Sequence, residues 1–584
     1  MTRLCRHLIL VFSVVFLAML GAGCAPPEQE TDPPQTDSTV DSNVPAEPVE
    51  ESRPSGEPLD RVEVTGSRTR RQNEMAEMVA DSRSPHFAPS TVGHSMPAPY
   101  PSQQPLDREN YASTESNPVM RVSEHPVSTF SIDVDTGSYS NLRRILREGR
   151  LPPENAVRVE EMINYFSYDY PVPEAGGAPF SVTVEQAMTP WNANTRLLQI
   201  GLQGYRPDPE SIPASNLVFL LDVSGSMNSQ DKLPLLVNSL KMLVNSLDGD
   251  DRVAVVVYAG SSGLVLESTP GDQHATIKAA LDRLSAGGST NGGAGIELAY
   301  AQARQGFVEG GVNRVILATD GDFNVGTVNF DSLIDLVERQ RESGIALTTL
   351  GFGTGNYNDH LMEQLADAGN GNHAYIDSLN EARKVLVDEL NATLMMIAKD
   401  VKIQIEFNPA VVAEYRLIGY ENRMLEREDF NNDAVDAGDI GAGHTVTALY
   451  EVALAGSGGE RVDPLRYQSE QQADQRATTA DGSSRELAFL RLRYKQPDSD
   501  TSQLIEQPIE NVDGEMSQRL AFATAVAAFG QHLSGSQYLN GYGLDEILAL
   551  ADQSRGNDPF GYRAEFLQLV RLTESLGLAQ QTER

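Results

Sequence analysis

Apolar and polar positions along this chain change rhythm from region to region, and each rhythm predicts a different architecture. Between residues 213 and 399, short unbroken apolar runs alternate with stretches whose leucines recur every three or four positions. The runs at 217–221, 253–258 and 315–318 read as strands buried on both faces of a sheet. Leu233, Leu236, Leu240, Leu243 and Leu247 fall on one helical face. Further helices are expected at 274–284, 295–307, 330–341 and 359–368, and a last one at 379–397. Strands are expected at 345–352 and 373–376, with a short edge strand at 264–266. Strand and helix in alternation predict an α/β unit, a doubly wound, mostly parallel sheet with helices on both faces.

The flanks keep other periods. Residues 118–212 suggest an α+β extension, with strands at 130–135, 180–187 and 196–201 and helices at 139–147 and 159–166. In 400–500, Val401, Ile403, Ile405 and Phe407 alternate strictly, as do parts of 446–454 and 487–494. That predicts a small antiparallel unit, interrupted by a polar loop at 456–484. Residues 501–584 change to helical spacing, with helices at 515–533, 544–554 and 562–576. Gly535, Gly541 and Asn557-Asp558-Pro559 separate them.

The amino-terminal segment reads as a targeting signal. Arg3, Arg6 and His7 precede an apolar stretch at 8–20, too short to span a bilayer comfortably. Gly21-Ala22-Gly23-Cys24 then resembles a bacterial lipoprotein cleavage box, although Leu20 stands one residue further from the cysteine than in the usual pattern. The resemblance implies a signal at 1–23 and a lipid on Cys24, and Ala25 after it implies the outer membrane. Cysteine usage agrees. Only Cys5 and Cys24 occur, so cleavage would leave one thiol and no disulfide framework. Residues 24–117, crowded with Pro, Ser, Glu, Gln and Asp, read as a disordered tether. A formal net charge of −37 over 584 residues argues against nucleic acid as a partner.

Candidate chemistry gathers where the first central strand ends. The run Leu217-Val218-Phe219-Leu220-Leu221-Asp222-Val223-Ser224-Gly225-Ser226-Met227 delivers a carboxylate and two hydroxyls at alternate positions. Small hard oxygens at a strand's carboxyl edge suit a divalent cation, Mg2+ above all. Open α/β sheets bind ligands in the crevice outside those edges. Two further donors follow: Thr290 in Gly287-Gly288-Ser289-Thr290-Asn291-Gly292-Gly293, and Asp320 at the end of Val315-Ile316-Leu317-Ala318-Thr319-Asp320-Gly321. The simpler account makes the carboxylates turn caps and the serines helix N-caps.

Together Asp222, Ser224, Ser226, Thr290 and Asp320 resemble the metal-ion-dependent adhesion site of von Willebrand factor type A (VWA) domains. In that family the serines and the threonine touch the metal, and the carboxylates act directly or through water. A partner supplies a last oxygen, often from Asp or Glu. The resemblance therefore implies Mg2+, or another divalent ion such as Mn2+ or Ca2+, and a protein ligand offering a carboxylate. The phrases at 287–295, 313–326 and 350–358 resemble one bacterial lipoprotein subgroup in which an A domain lies between amino- and carboxyl-terminal extensions.

Nothing in the chain points to catalysis. Ser226 lacks a Gly-x-Ser-x-Gly elbow, the glycine-rich loop lacks a terminal Lys-Ser/Thr, and no His-x-x-x-His pair occurs. Asp133 and Asp135 open like a calcium loop, but the remaining ligands are missing. The expectation is a membrane-anchored, metal-dependent binding module and not an enzyme. The alternative is a structural envelope scaffold whose A domain needs no metal to bind.

Overall fold

Every apolar run between 215 and 376 becomes a strand of one six-stranded sheet. Its order is His373–Ile376, Ala346–Phe352, Val312–Thr319, Ser215–Asp222, Arg252–Tyr258 and Ser262–Pro270. All pairings are parallel except the last, where Ser262–Pro270 closes the edge antiparallel to its neighbour. This computed structural model describes Tyr111 and residues 115–582, apart from 175, 209–210, 290–291, 322–329, 355–356, 391–393, 464 and 466–484. The expected signal, Cys24, most of the tether and Thr290 lie outside the described residues.

Unbroken apolar runs require cover on both faces, because successive side chains of a strand point to opposite sides. Leu217, Phe219 and Leu221 pack with Leu236, Leu240 and Leu243 of helix Leu233–Val244 on one face. Val218 and Leu220 meet Ile296, Ala299, Val337 and Met362 on the other. These come from helices Gly292–Gln305, Phe330–Glu342 and Asp359–Ala368. The sheet is doubly wound, as its alternation predicts.

Two differences matter. The edge strand extends well past 264–266, because Ser262–Pro270 pairs with Arg252–Tyr258 from end to end, with two register irregularities between. The helix expected at 379–397 is helical only over Leu379–Arg383, followed by a π turn at Lys384–Asp388, and Met396–Phe407 is already a strand. Residues 394–398 form a continuous apolar run, which suits a buried strand as well as a helix. Antiparallel pairing of Met396 and Ala398 with Gly441 and Ile440, continued from Lys399 onward by Glu486–Lys495, decides for the strand.

The antiparallel strands expected in 118–212 and in 400–500 interleave in shared sheets. One sheet runs Met120–Arg121, Val412–Ile418, Thr445–Leu454, Asn192–Gly204 and Phe180–Thr189. The other joins Ile440–Gly441, Met396–Phe407, Glu486–Lys495 and Ser502–Glu510, with Val127–Ser131 also paired to Met396–Phe407. Leu198, Ile200 and Leu202 face Ile403, Ile405 and Leu490 in the core between the sheets. The opposite face of the first sheet, with Leu197 and Leu449, packs on helices. Those are Gly137–Arg147, Val159–Asn164, Gln518–Leu533, Leu544–Gln553 and Tyr562–Thr582. Helix Gln518–Leu533 is buried almost all round, as a helix apolar on every side must be. Among the described residues no helix is long and apolar enough to cross a membrane.

Helix Val159–Asn164 carries an unusual load. Both Glu160 carboxylate oxygens are sealed from solvent against the turn at Gly419, where even an added Cβ would meet Glu160 N at 2.8 Å. Burial, then the charges of Glu421 and Asp133, push the Glu160 carboxyl up to about 8. The folded state therefore holds this proton over a range in which the unfolded chain, with an ordinary pKa of about 4.3, has released it. Its contribution to stability is lost as pH rises from about 4.5 to 8, an upper bound of about 5 kcal/mol. Glu160→Gln should melt at a higher temperature than the parent at pH 8 and decline less between pH 5 and 8. Parallel melting curves for the two proteins across that range would refute the assignment.

Candidate functional site

The topology itself brings the first two acidic residues together. After Ser215–Asp222 the chain adds Arg252–Tyr258 on one side, then crosses to place Val312–Thr319 on the other. The crevice between Ser215–Asp222 and Val312–Thr319 is thus the switch point of the sheet, where connections leave in opposite directions. Asp222 ends one strand and Asp320 follows the other, and neither is exposed to solvent at all (0% each).

The turn after Asp222 is held from both sides. Ser224 N donates to Asp222 Oδ1 at 2.8 Å, and the Thr319 hydroxyl donates to Asp222 Oδ2 at 3.0 Å. Ser224 Oγ and Ser226 Oγ stand 2.9 Å apart. Ser224 precedes a short 3-10 turn at Gly225–Asn228 but makes no side-chain cap to it. The serine hydroxyls are therefore committed to one another and not to a helix end, against the simpler sequence account. Asp222 does cap its own turn, so that part of the simpler account stands.

Thr290 lies outside the described residues, yet the loop that leads to it is placed. Gly287 N donates to Val223 O at 2.7 Å and Gly225 N donates to Gly288 O at 3.0 Å. Gly288 has φ +88°, a conformation glycine adopts at little cost. The glycine-rich loop is thereby laced to the backbone between Asp222 and Ser226.

Sequence reasoning missed Lys232. It ends the polar stretch just after the serines, and its Nζ donates to Asp320 Oδ2 at 2.8 Å in a buried ion pair. Its stem lies across Gly353, where a Cβ would come within 2.3 Å of Lys232 Cγ and Cε. Thr319 was also missed as a participant. Thr319 lies inside one of the motifs, whereas Lys232 stands in an ordinary polar stretch, and only the fold shows which way they point.

Electrostatics set what this arrangement can do. Burial raises the Asp222 carboxyl above its usual range and Asp320 adds to that, while hydrogen bonds from Ser224 and Thr319 act in the opposite sense. Two buried carboxylates side by side are costly unless cations balance them. Lys232 supplies one positive charge against Asp320. Among the described residues no three His, Cys, Asp or Glu side chains gather in a metal-binding group. A cation here would need hydroxyl oxygens beside the two carboxylates, a hard, oxygen-only set that fits Mg2+ and does not fit zinc.

Gly353 has φ +75° and no room for a side chain. Gly353→Ala should destabilise the fold by about 2 kcal/mol and displace Lys232 from Asp320. Denaturant titration reads the first effect, and a crystal structure of the variant reads the second. Unchanged stability would mean the Lys232 stem is not fixed there.

Three family profiles match this chain. The von Willebrand factor type A domain covers residues 216–389, a profile described as von Willebrand factor covers 105–199, and one described as uncharacterized protein YfbK, C-terminal, covers 392–576. The uncharacterized protein YfbK of Escherichia coli K12 is 50% identical over 472 residues, 80% of this chain and 81% of that protein. A Synechocystis protein, sll0103, is 30% identical over 187 residues, 32% of this chain and 43% of its own. Among solved structures, a von Willebrand factor type A protein from Catenulispora acidiphila covers 66% of this chain and 89% of its own, at 14% identity and TM-score 0.36. The ArnB paralog VWA2 from Sulfolobus acidocaldarius covers 68% and 98% at 14% identity and TM-score 0.32.

Proposed function

We propose, from the premise that the chain belongs to the YfbK family of bacterial proteins built around a VWA domain, that it is a metal-dependent protein-binding module. In this reading Mg2+, or Mn2+ or Ca2+ in its place, is held by Ser224, Ser226 and Thr290. Asp222 and Asp320 balance its charge directly or through water. An Asp or Glu of the partner protein then supplies the last oxygen. The metal contributes a Lewis-acidic point charge; this chain's residues fix where it sits and which face stays open. No catalytic role is proposed for any residue.

The observation that carries the reading is the pairing of two fully buried carboxylates with two mutually bonded serine hydroxyls at the switch point of the sheet. Calorimetry with Mg2+ should give saturable heat for the parent and none for Asp222→Ala. Equal heats from both would exclude the site.

The Lys232–Asp320 ion pair supports a second reading, because an ammonium group already neutralises one carboxylate. In that reading the A domain is a scaffold and needs no metal to bind. Pull-down of partners with and without a chelator separates the two, since the scaffold reading predicts no change. Lys232 offers an independent check. Lys232→Met should cost the metal-free protein about 3–5 kcal/mol by removing the ammonium that faces the buried Asp320 carboxylate. Mg2+ should restore part of that loss if the metal reading is right, and none if it is wrong.

Anchoring follows the sequence expectation: a lipid on Cys24 holding the tether to the outer membrane. Mass spectrometry of the purified amino terminus tests it, and an unmodified Cys24 within an intact signal would exclude it.

A further inference from the structure

At the opposite end of the sheet, where the strands begin, a cavity of about 930 Å³ lies between the α/β unit and the two antiparallel sheets. Arg314, near the start of central strand Val312–Thr319, lines it and is 4% exposed. Its guanidinium donates to Thr348 Oγ1 at 2.6 Å and to Leu394 O at 3.5 Å. Its Nε is sealed from solvent and has no hydrogen-bond partner. Among the described residues no carboxylate lies within ion-pair reach of Arg314. Buried charges are ordinarily paired, and an orphaned buried donor asks for a missing ligand.

Other cations line the same space. Arg206 and Lys399 line it and form no ion pair among the described residues, whereas Arg341 is engaged by Asp436 at 2.8 Å. The acidic lining residues are Glu174, Asp208 and Asp498. Asp439 also acts on Arg314 from beyond ion-pair range, while burial lowers the guanidinium to about 10. Asp439 feels Lys399 as well, yet three cations without a direct ion pair around one space are unexpected in a chain of net charge −37. Apolar Pro179, Leu394 and Ile397 make up part of the remaining wall.

We propose that this cavity binds a small organic anion, its carboxylate or phosphate head on Arg314, Arg206 and Lys399 and its apolar body against the Pro179–Ile397 wall. A guanidinium fork suits either head through paired N–H donors. The volume lies within the range of small-molecule sites and well above that of a bare ion. The site stands apart from the Asp222–Asp320 crevice and does not depend on metal there.

Calorimetry on the full-length chain uses three probes: N-acetylleucine, its neutral amide, and inorganic phosphate. An anion seat predicts binding of N-acetylleucine or phosphate, with the amide at least tenfold weaker. Arg314→Met should weaken that binding at least tenfold while leaving the melting temperature equal or higher, because an uncompensated buried charge has been removed. Arg206→Gln and Lys399→Gln should each weaken it severalfold, and they decide the matter if Arg314→Met does not fold. Tighter binding of phosphate than of N-acetylleucine assigns a phosphate ester, and the reverse assigns a carboxylate. Failure of both anions to bind, equal binding of acid and amide, or unchanged affinity in the variants would overturn the proposal.

Discussion

Arg143 holds this molecule together. It sits on the amino-terminal helix Gly137–Arg147 with a side chain only 1% exposed. Its Nε donates to Asp377 Oδ2 at 2.8 Å, Nη2 to Glu381 Oε2 at 2.7 Å, and Nη1 to Tyr165 OH and to Glu565 Oε2, both at 2.9 Å. Asp377 and Glu381 belong to the end of the α/β unit, while Glu565 belongs to the last helix, Tyr562–Thr582. One guanidinium thus ties three parts of the sequence that are separated by hundreds of residues. Removing one partner from a buried charge set of this kind is strongly destabilising, so the guanidinium and its acids depend on one another. The short helix at Leu379–Arg383 is therefore clamped by Glu381, which bears on whether an event at the Asp222–Asp320 crevice could move it. Any displacement would have to break a buried pair at 2.7 Å.

The same solution recurs at Arg423. It meets Asp133, Asp135, Glu363 and Asp367, joining the first antiparallel strands to helix Asp359–Ala368. Here the acids outnumber the cation. Burial, with neighbouring acids adding to it, raises Asp135, and Glu363 is pushed up to about 7 despite Arg423 beside it. The acidity of the chain is thus more than a surface property. It is carried into the junctions, and arginine hubs make that tolerable. The two aspartates that open like a calcium loop are strand-end partners of this arginine.

Much of the α/β unit was legible because its signals are local. A strand buried on both faces must be apolar at every position, and Leu217 to Leu221 could scarcely be anything else. Helix Asp359–Ala368 and strand His373–Ile376 fall where periodicity puts them. Interleaving of the antiparallel strands was not legible. Nothing near Val127 says that its partner is Glu406, because pairing across such a span depends on the whole fold. The final helix failed for a related reason: the run at 394–398 has no period, so tertiary pairing decided it. At the site, Asp222, Ser224, Ser226 and Asp320 were found by residue type at strand ends, whereas Lys232 was not, since a lysine in a polar stretch looks like any solvated lysine.

Strand Val312–Thr319 links the two ends of the α/β unit physically. Near its start Arg314 lines the cavity at the strands' amino ends, and just past its end Asp320 reaches the crevice beside Asp222. Between them Val315 and Leu317 enter one core and Ile316 and Ala318 the other. A strand gripped on both faces and paired on both edges has a strongly specified register, since a slip of one residue would exchange the faces of every side chain. Such a slip would also withdraw Arg314 and Asp320 together, so both charges are placed by the same packing that stabilises the sheet. Neither site needs a separate device to position its central charge, and neither charge can shift appreciably without disturbing the two hydrophobic cores.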